Sequence, residues 1–302
     1  MKNNILFSII IPTYNRANLI SHAINSVLGQ TYANYELIVV DDGSLDKTNE
    51  VVHSFASSKI KYFKINNSER GFARNYGVEN ASGDYITFLD SDDLLLPNYL
   101  QYANESIQLY NNPYFLHIGY EISTPNGKIT SRVNYLKSDE IYFLIKGNPL
   151  SCTGCILKSE TIKKIKFNTD RNLAGSEDWE LWFRILSNVG IKTDNRIGAR
   201  MINHDNRSVK IDANEEQLIN RKELALKYAF EDNMVKKKFS KHYILIDAYG
   251  ESYIALHLAL AGHNKQAKLH LRKFLKGHPR GLFTKRFLVI SKYIFINLFN
   301  RK

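Results

Sequence analysis

Three carboxylates, Asp90, Asp92 and Asp93, follow directly on an apolar β-type run, Tyr85-Ile86-Thr87-Phe88-Leu89. A strand that delivers acids at its carboxyl end is built to hold something positive. Clustered carboxylate oxygens suit the hard cations Mg²⁺ and Mn²⁺, which share their coordination with the phosphates of a substrate. Aspartate also caps helices and favours their first turn, and Asp93, ahead of Leu94-Leu95-Leu96-Pro97, fits that simpler use. Asp90 and Asp92 are the candidates for metal chemistry. A second acidic pair, Glu177-Asp178, opens a segment with Trp179, Trp182, Phe183, Ile185 and Leu186 on one broad face. There the acids favour a helix N-terminus by complementing its dipole.

The elements that must position these acids alternate between strand and helix. Phe7–Ile11 is a continuous apolar run, residues 17–28 carry apolar residues at helical spacing, and Glu36–Val40 is a second buried run ending in Asp41-Asp42-Gly43-Ser44. A helix over about 46–56, a strand around Ile60–Phe63 and a helix starting near Gly71 come before the strand that carries the acids. Apolar strands alternating with amphipathic helices predict a mostly parallel sheet covered on both faces. In such sheets ligands bind beyond the carboxyl ends of the strands, where the strand order reverses. Pro12-Thr13-Tyr14-Asn15, Asp41-Asp42 and Asp90-Ser91-Asp92 all fall on that edge. Strand patterns at 114–122, 128–135 and 196–203 follow, the last leading into His204. Beyond about residue 210 the pattern is helical: Glu215–Phe230, then about 238–260, 263–276 and 282–299.

Composition narrows the classes. The 302 residues are 44% hydrophobic, enough for a real core. The start, MKNNILFSIIIP, runs straight into a strand with no cleavage-site pattern, and no apolar stretch reaches the roughly 18 residues a membrane span needs. Both features predict a cytoplasmic chain. Cys152 and Cys155 form one C-x-x-C, too few for a four-ligand zinc site; they read as buried reduced thiols in a strand, with a redox pair as the alternative. The net charge is +11, and from residue 252 onward there are eleven Lys and Arg and no Asp or Glu. Such a block fits an anionic membrane surface, an acidic polymer or nucleic acid. No nucleic-acid-binding module accompanies it, so nucleic acid is not expected.

Taken together, Ser8-Ile9-Ile10-Ile11-Pro12-Thr13-Tyr14-Asn15-Arg16, Val39-Val40-Asp41-Asp42-Gly43-Ser44, Gly71-Phe72-Ala73-Arg74-Asn75, Asp90-Ser91-Asp92-Asp93 and Glu177-Asp178-Trp179 resemble the family 2 glycosyltransferases. The resemblance covers about residues 5–205. It implies a GT-A fold, a Rossmann-like α/β architecture, for a catalytic domain over 1–210, with 211–302 as a helical basic extension. It further implies inverting transfer of a sugar from a nucleotide diphosphate donor, most simply a UDP-sugar, to an acceptor hydroxyl in bacterial polysaccharide or glycoconjugate synthesis.

Residue by residue, the resemblance puts Pro12, Thr13, Tyr14 and Asn15 around the base, Asp42 on the uracil or ribose, and Arg74 on the diphosphate. Asp90, Ser91 and Asp92 fall against the donor. Asp92 binds Mn²⁺ or Mg²⁺, with Asp90 touching the ribose or a metal-bound water. Asp178 is the general base, with Glu177 tuning its charge, and His204 is either a further metal or pyrophosphate contact or a structural histidine. The acceptor is a glycan or a lipid-linked sugar, and residues 263–302 either lie on the inner face of the cytoplasmic membrane or cap the catalytic domain. A sugar nucleotidyltransferase is the alternative enzyme, but it calls for a glycine-rich phosphate loop after the first strand, where Pro12-Thr13-Tyr14-Asn15 stands instead. A catalytically silent sugar-nucleotide-binding relative is the other alternative.

Overall fold

The computed structural model describes residues 4–134, 140–204 and 214–299. The chain forms two compact units. One comprises residues 1–140 and 150–204, the other 141–149 and 205–302. The domain boundary expected at 210 lies outside the described residues, and so do residues 300–302 of the basic tail.

The first unit is built on a mixed sheet. Its strands are β1 (Phe7–Thr13), β2 (Tyr35–Asp41), β3 (Ile60–Lys64), β4 (Tyr85–Phe88), the two-residue β5 (Leu94–Leu95), β6 (Phe115–Ser123), β7 (Ile129–Val133), β8 (Cys155–Lys158) and β9 (Lys192–Ile202). They are ordered β3-β2-β1-β4-β8-β6-β9-β5, with β7 hanging on β6. The first four pair in parallel, as their unbroken apolar runs require. β8 is antiparallel to both β4 and β6. The chain steps outward from β1 through β2 to β3 and then returns to the other side of β1 as β4. The strand order therefore reverses between β1 and β4, and a crevice opens at their carboxyl ends.

Successive side chains of a strand point to opposite faces, so each buried run feeds two cores. Phe7, Ile9 and Ile11 of β1 and Leu37 and Val39 of β2 pack under α1 (Ile20–Leu28) and the later α4 (Tyr99–Leu109), through Ala23, Ile24, Val27, Leu100, Ala103 and Ile107. On the other face Ile10 meets α3 (Arg70–Glu79). A Cβ on Gly77 of α3 would stand 2.5 Å from Ile10 Cγ2, so glycine is what lets this helix lie so close to the sheet. The short helix between them in sequence is α2 (Thr48–His53). After β7 come α5 (Glu140–Ile145), α6 (Ser159–Lys164) and α7 (Glu177–Asn188). The apolar face read from the sequence of α7 is buried as expected: Trp182 Nε1 donates to the Leu150 carbonyl at 3.0 Å, and its ring lies 5.3 Å from that of Phe115.

The second unit is helical, with α8 (Glu215–Glu231), α9 (Asn233–Phe239), α10 (Tyr243–Leu260), α11 (Asn264–Gly277) and α12 (Lys285–Phe299). The helix expected over 238–260 is two helices, divided by a 3₁₀ turn at Ser240–His242. Leu218, Ile254, Leu258, Ala267, Ile290 and Ile294 form its apolar core. Beside the core lies a buried charge network. Lys222 Nζ donates to Asp247 and to Glu251 at 2.7 Å each, and His270 meets Glu251 at 2.6 Å and Glu215 at 3.1 Å. Burial pushes the Glu251 carboxyl up, but the hydrogen bonds from His270 and Lys222 outweigh it and hold its pKa at about 2.

Candidate active site

The turn after β4 sets out the first three acids. The Asp93 N–H closes it on the Asp90 carbonyl at 3.0 Å. Asp93 is fully buried, and its Oδ1 accepts the Ile202 N–H at 2.9 Å. It precedes β5 rather than a helix, so it is not the helix cap that its sequence context allowed; it ties the acidic turn to the end of β9. Two residues beyond that tie, His204 Nε2 reaches Asp92 Oδ2 at 2.9 Å. Ser91 is buried between the two acids. Oxygen atoms of Asp90, Asp92 and Asp93 all lie within 4.8 Å of one another. This hard oxygen donor set, with an imidazole at its side, fits a divalent cation such as Mg²⁺ or Mn²⁺. Asp90, Asp92 and Asp93 are the carboxylates that could hold the ion, Asp93 while also accepting the Ile202 N–H and Asp90 while bonded to Arg74, with His204 beside Asp92.

Arg74 links this turn to the second acidic pair. Its side chain is 3% exposed. Nη2 donates to Asp90 Oδ1 at 2.9 Å and Nη1 to Glu177 Oε1 at 2.8 Å. Its guanidinium also lies over the Phe167 ring, 5.3 Å from the centroid. The adjoining residue explains how α3 holds this position. Asn75 Nδ2 donates to the Phe167 carbonyl at 2.9 Å and Oδ1 accepts the Phe167 N–H at 3.0 Å. Gly71 permits the same approach, since a Cβ there would stand 2.7 Å from the Asn168 carbonyl oxygen. The Arg-Asn pair of the motif is thus a buried cation followed by a backbone clamp. The reach to a diphosphate expected of Arg74 has to be reconciled with two carboxylates already on its terminal nitrogens. Arg70, one turn earlier and passed over in the sequence, is a third exposed and brings Nε to 3.8 Å from Glu177.

The two acids at the start of α7 have different surroundings. Glu177 is 4% exposed, and its Oε2 accepts the Gly175 N–H at 2.6 Å. Burial raises its pKa, but Arg70 and Arg74 outweigh that and hold the carboxyl below its ordinary value. Asp178 is only half-buried, with Oδ1 on the Trp179 N–H at 2.7 Å. Cys152 sits in the electrostatic field of Arg74, Asp178 and Asp90; burial pushes its thiol well above the usual range, which keeps it neutral. Both cysteines are buried and free.

The remaining candidates gather at the ends of β1 and β2. Pro12 and Thr13 are buried at the carboxyl end of β1, and the buried Thr13 hydroxyl has no hydrogen-bond partner among the described residues. Tyr14 is 45% exposed. Asn15 adopts φ +50°, which asparagine tolerates better than most residues. It pins the two loops together: its N–H donates to Ser44 Oγ, and its Oδ1 accepts the Leu45 N–H, each at 2.8 Å. Asp41 is the structural member of its pair, taking the Ser44 N–H and the Tyr62 hydroxyl. Asp42 accepts the N–H groups of Ser68 at 2.7 Å and Glu69 at 2.9 Å. That contact holds Glu69 at φ +77°, a conformation strained for a residue with a side chain. Burial raises the Asp42 pKa above its ordinary value. A cavity of about 780 Å³ borders this loop, lined by Gly43, Lys64, Asn67, Ser68, Phe72 and Tyr76 among others.

The sequence model of glycosyl transferase family 2 matches residues 8–157. A glucosyltransferase of Escherichia coli, named for transfer from UDP-Glc to alpha-D-GlcNAc-diphosphoundecaprenol, is 38% identical over 63% of this chain and 73% of its own length. A glycosyltransferase of Rickettsia prowazekii is 32% identical over 90% of this chain and 86% of its own. The chain spans only 64%, 36%, 33% and 33% of the length of four other rickettsial relatives. Among solved structures, the Staphylococcus aureus TarS fragment in complex with UDP-GlcNAc shares the fold at TM-score 0.59 and 18% identity, over 98% of this chain and 91% of that one. A Pyrobaculum calidifontis mannosyltransferase in complex with GDP-Man and Mn²⁺ does so at TM-score 0.57 and 17% identity, over 98% and 88%. With the acids, the arginine and the strand ends of the motifs gathered on one edge of the sheet, and with relatives of this identity and coverage, the chain belongs to the family 2 glycosyltransferases.

Proposed function

We propose that this protein is a metal-dependent, inverting glycosyltransferase that moves a sugar from a UDP-sugar to an acceptor hydroxyl in bacterial polysaccharide or glycoconjugate synthesis. The observation that carries the reading is the guanidinium of Arg74, which joins Asp90, at the end of β4, to Glu177, at the start of α7. Donor-side acids and the candidate base thereby belong to one site. The complexes of the TarS fragment with UDP-GlcNAc and of the mannosyltransferase with GDP-Man and Mn²⁺ support a nucleotide-sugar donor and a divalent cation.

In this reading Asp92, with Asp90 and His204, holds Mg²⁺ or Mn²⁺. The bound cation supplies positive charge for the leaving diphosphate. Pro12 and Thr13 form the floor of the nucleotide site, Tyr14 offers a ring edge or face to the base, and Asp42 and Asn15 fix the loops that shape the base pocket. Arg74 acts on the donor through Asp90, whose carboxylate it orients, while Arg70 is the cation with exposure toward the diphosphate.

Asp178 takes the proton of the acceptor hydroxyl as its oxygen bonds to the anomeric carbon and the bond to the diphosphate oxygen breaks. Attack from the face opposite the leaving group inverts that carbon. Glu177, kept ionised by the two arginines, holds the helix start and so aims Asp178. A lipid-linked sugar is the acceptor class that the Escherichia coli relative's name supports. A chain acting on such an acceptor works at a membrane surface, and residues 263–302, basic throughout, are the region suited to it.

The test is donor turnover. Release of UDP from one sugar nucleotide in the presence of Mn²⁺, lost in Asp178→Asn while that variant still binds the donor, supports the assignment. Equal turnover by the variant removes Asp178 as the base.

A further inference from the structure

The last helix turns an unusual face outward. Ile290 and Ile294 of α12 are buried in the core of the second unit, and the Asn264 side chain ties α11 to the Ile294 carbonyl at 3.2 Å. Among the residues of α12 whose burial is described, the exposed ones are Lys285, Leu288, Lys292 and Phe295, spaced three, four and three residues apart along one stripe. Leu288 is 62% exposed and Phe295 60%. The turn that leads into the helix adds Leu282 and Phe283, the latter 85% exposed. Cations and large apolar groups thus alternate on a surface where a water-facing helix carries polar residues alone. The exposed face of α11 is basic as well, with Lys265, Lys268, Arg272, Lys273 and Lys276. No acidic residue occurs from 252 onward, and among these five cations of α11 Lys273 has an acidic neighbour, Glu251 at 3.9 Å.

We infer that the outward stripe of α12, with the Leu282-Phe283 turn at its start, inserts into the interface of an anionic lipid bilayer. Phe283, Leu288 and Phe295 enter the acyl boundary while Lys285 and Lys292 stay at the headgroups. The charge of both helices selects the partner, because an anionic bilayer offers negative headgroups above an apolar layer in the same arrangement. Among the described residues no helix is long and apolar enough to cross a membrane, so this contact lies in the plane of the surface. The inference rests on the reading of residues 263–302 as the membrane-facing region and adds which side chains insert.

The experiment is co-sedimentation of the full chain with vesicles of phosphatidylcholine alone and of equal parts phosphatidylcholine and phosphatidylglycerol. It is paired with an environment-sensitive fluorophore on Phe283→Cys, a labelling site made selective by the burial of Cys152 and Cys155. The expected result is binding to the anionic vesicles only, a blue shift of the fluorophore there, and a loss of at least about tenfold in affinity for the double variant Leu288→Glu/Phe295→Glu. Both substitutions are at exposed positions, and an unchanged circular dichroism spectrum and melting temperature verify the fold. If the parent chain ignores anionic vesicles, the membrane reading of the whole region fails and the insertion with it. If the parent chain binds but the double variant binds equally and the fluorophore does not shift, basic charge alone holds the membrane and the insertion is wrong. If the double substitution instead abolishes a concentration-dependent self-association, the stripe pairs two copies of this chain, which also overturns the inference.

Discussion

Asp90 and Glu177 are held by opposite ends of one guanidinium, 2.9 Å and 2.8 Å from the terminal nitrogens of Arg74. Two acids distant in sequence therefore occupy fixed positions relative to each other before any ligand arrives. Burial of Arg74 makes this costly to disturb. Its removal takes the nearer cation from Glu177, leaving Arg70 at 3.8 Å, and takes this guanidinium from Asp90; breaking a buried pair from one side typically costs about 3–5 kcal/mol. Arg74→Ala is expected to destabilise the protein by about that amount in chemical denaturation. Arg74→Lys is expected to rescue only part, because one ammonium cannot repeat the forked geometry that reaches both acids.

The neighbours Glu177 and Asp178 are expected to separate experimentally. Glu177→Gln removes a buried anion from between Arg70 and Arg74 and lowers the melting temperature. Asp178→Asn leaves the melting temperature within a few degrees of the parent and lowers the rate of transfer by roughly 10²–10⁴, the usual scale for a lost general base. Thermal denaturation alongside initial-rate kinetics gives both numbers.

Asp42 accepts two backbone N–H groups from the loop that carries the strained Glu69. An asparagine offers one acceptor oxygen in place of two. Asp42→Asn is expected to cost about 1–3 kcal/mol, the penalty of a buried donor left without its acceptor. It is also expected to raise hydrogen exchange at the amides of Ser68 and Glu69 specifically.

Acid weakens the fold through groups in both units, among them His117 in the first and Glu251 in the second. Burial alone lowers the pKa of His117 to about 4. The unfolded chain therefore binds a proton that the native protein refuses, and stability falls as the pH drops from the ordinary histidine range toward 4. Glu251 is held at about 2 in the folded second unit by His270 and Lys222, with Asp247, Glu215 and Lys273 also facing the cluster. Its contribution is complete above the ordinary carboxylate range and is lost as the pH falls from there toward 2. Denaturation midpoints measured from pH 7 to 3 should decline in two stages, and His117→Gln should reduce the earlier one, which His257, also lowered to about 4 by burial, shares.

Much of this was legible in the sequence because the first four strands are unbroken apolar runs. Their pattern fixes a parallel sheet, and the sheet brings Thr13, Asp42 and Asp90 to one edge. The antiparallel insertion of β8 between β4 and β6 was not legible, since a four-residue strand carries no period that states its direction. The helices α4 and α6 were missed for lack of distinctive caps, and the start of β9 lies four residues earlier than its apolar residues indicate, at Lys192. The site was readable as residue types but not as partnerships. Nothing in Gly71-Phe72-Ala73-Arg74-Asn75 says that Arg74 faces inward to Glu177 as well as Asp90 while Asn75 clamps Phe167, because the contacts with Glu177 and Phe167 depend on segments more than ninety residues away. The segment 141–149 belongs with the second unit, and short linking residues give no sign of such an assignment.

In the proposed function Asp92, with His204 beside it, holds the divalent cation that binds the nucleotide-sugar donor. The most direct measurement is calorimetric titration of the full chain with a panel of UDP-, GDP-, CMP- and dTDP-sugars, with and without Mn²⁺, repeated on Asp92→Asn. The expected result is that one UDP-sugar binds, that binding requires Mn²⁺, and that Asp92→Asn loses it while keeping its melting temperature. Donor binding of equal strength in Asp92→Asn, or binding indifferent to Mn²⁺ in the parent chain, would contradict it.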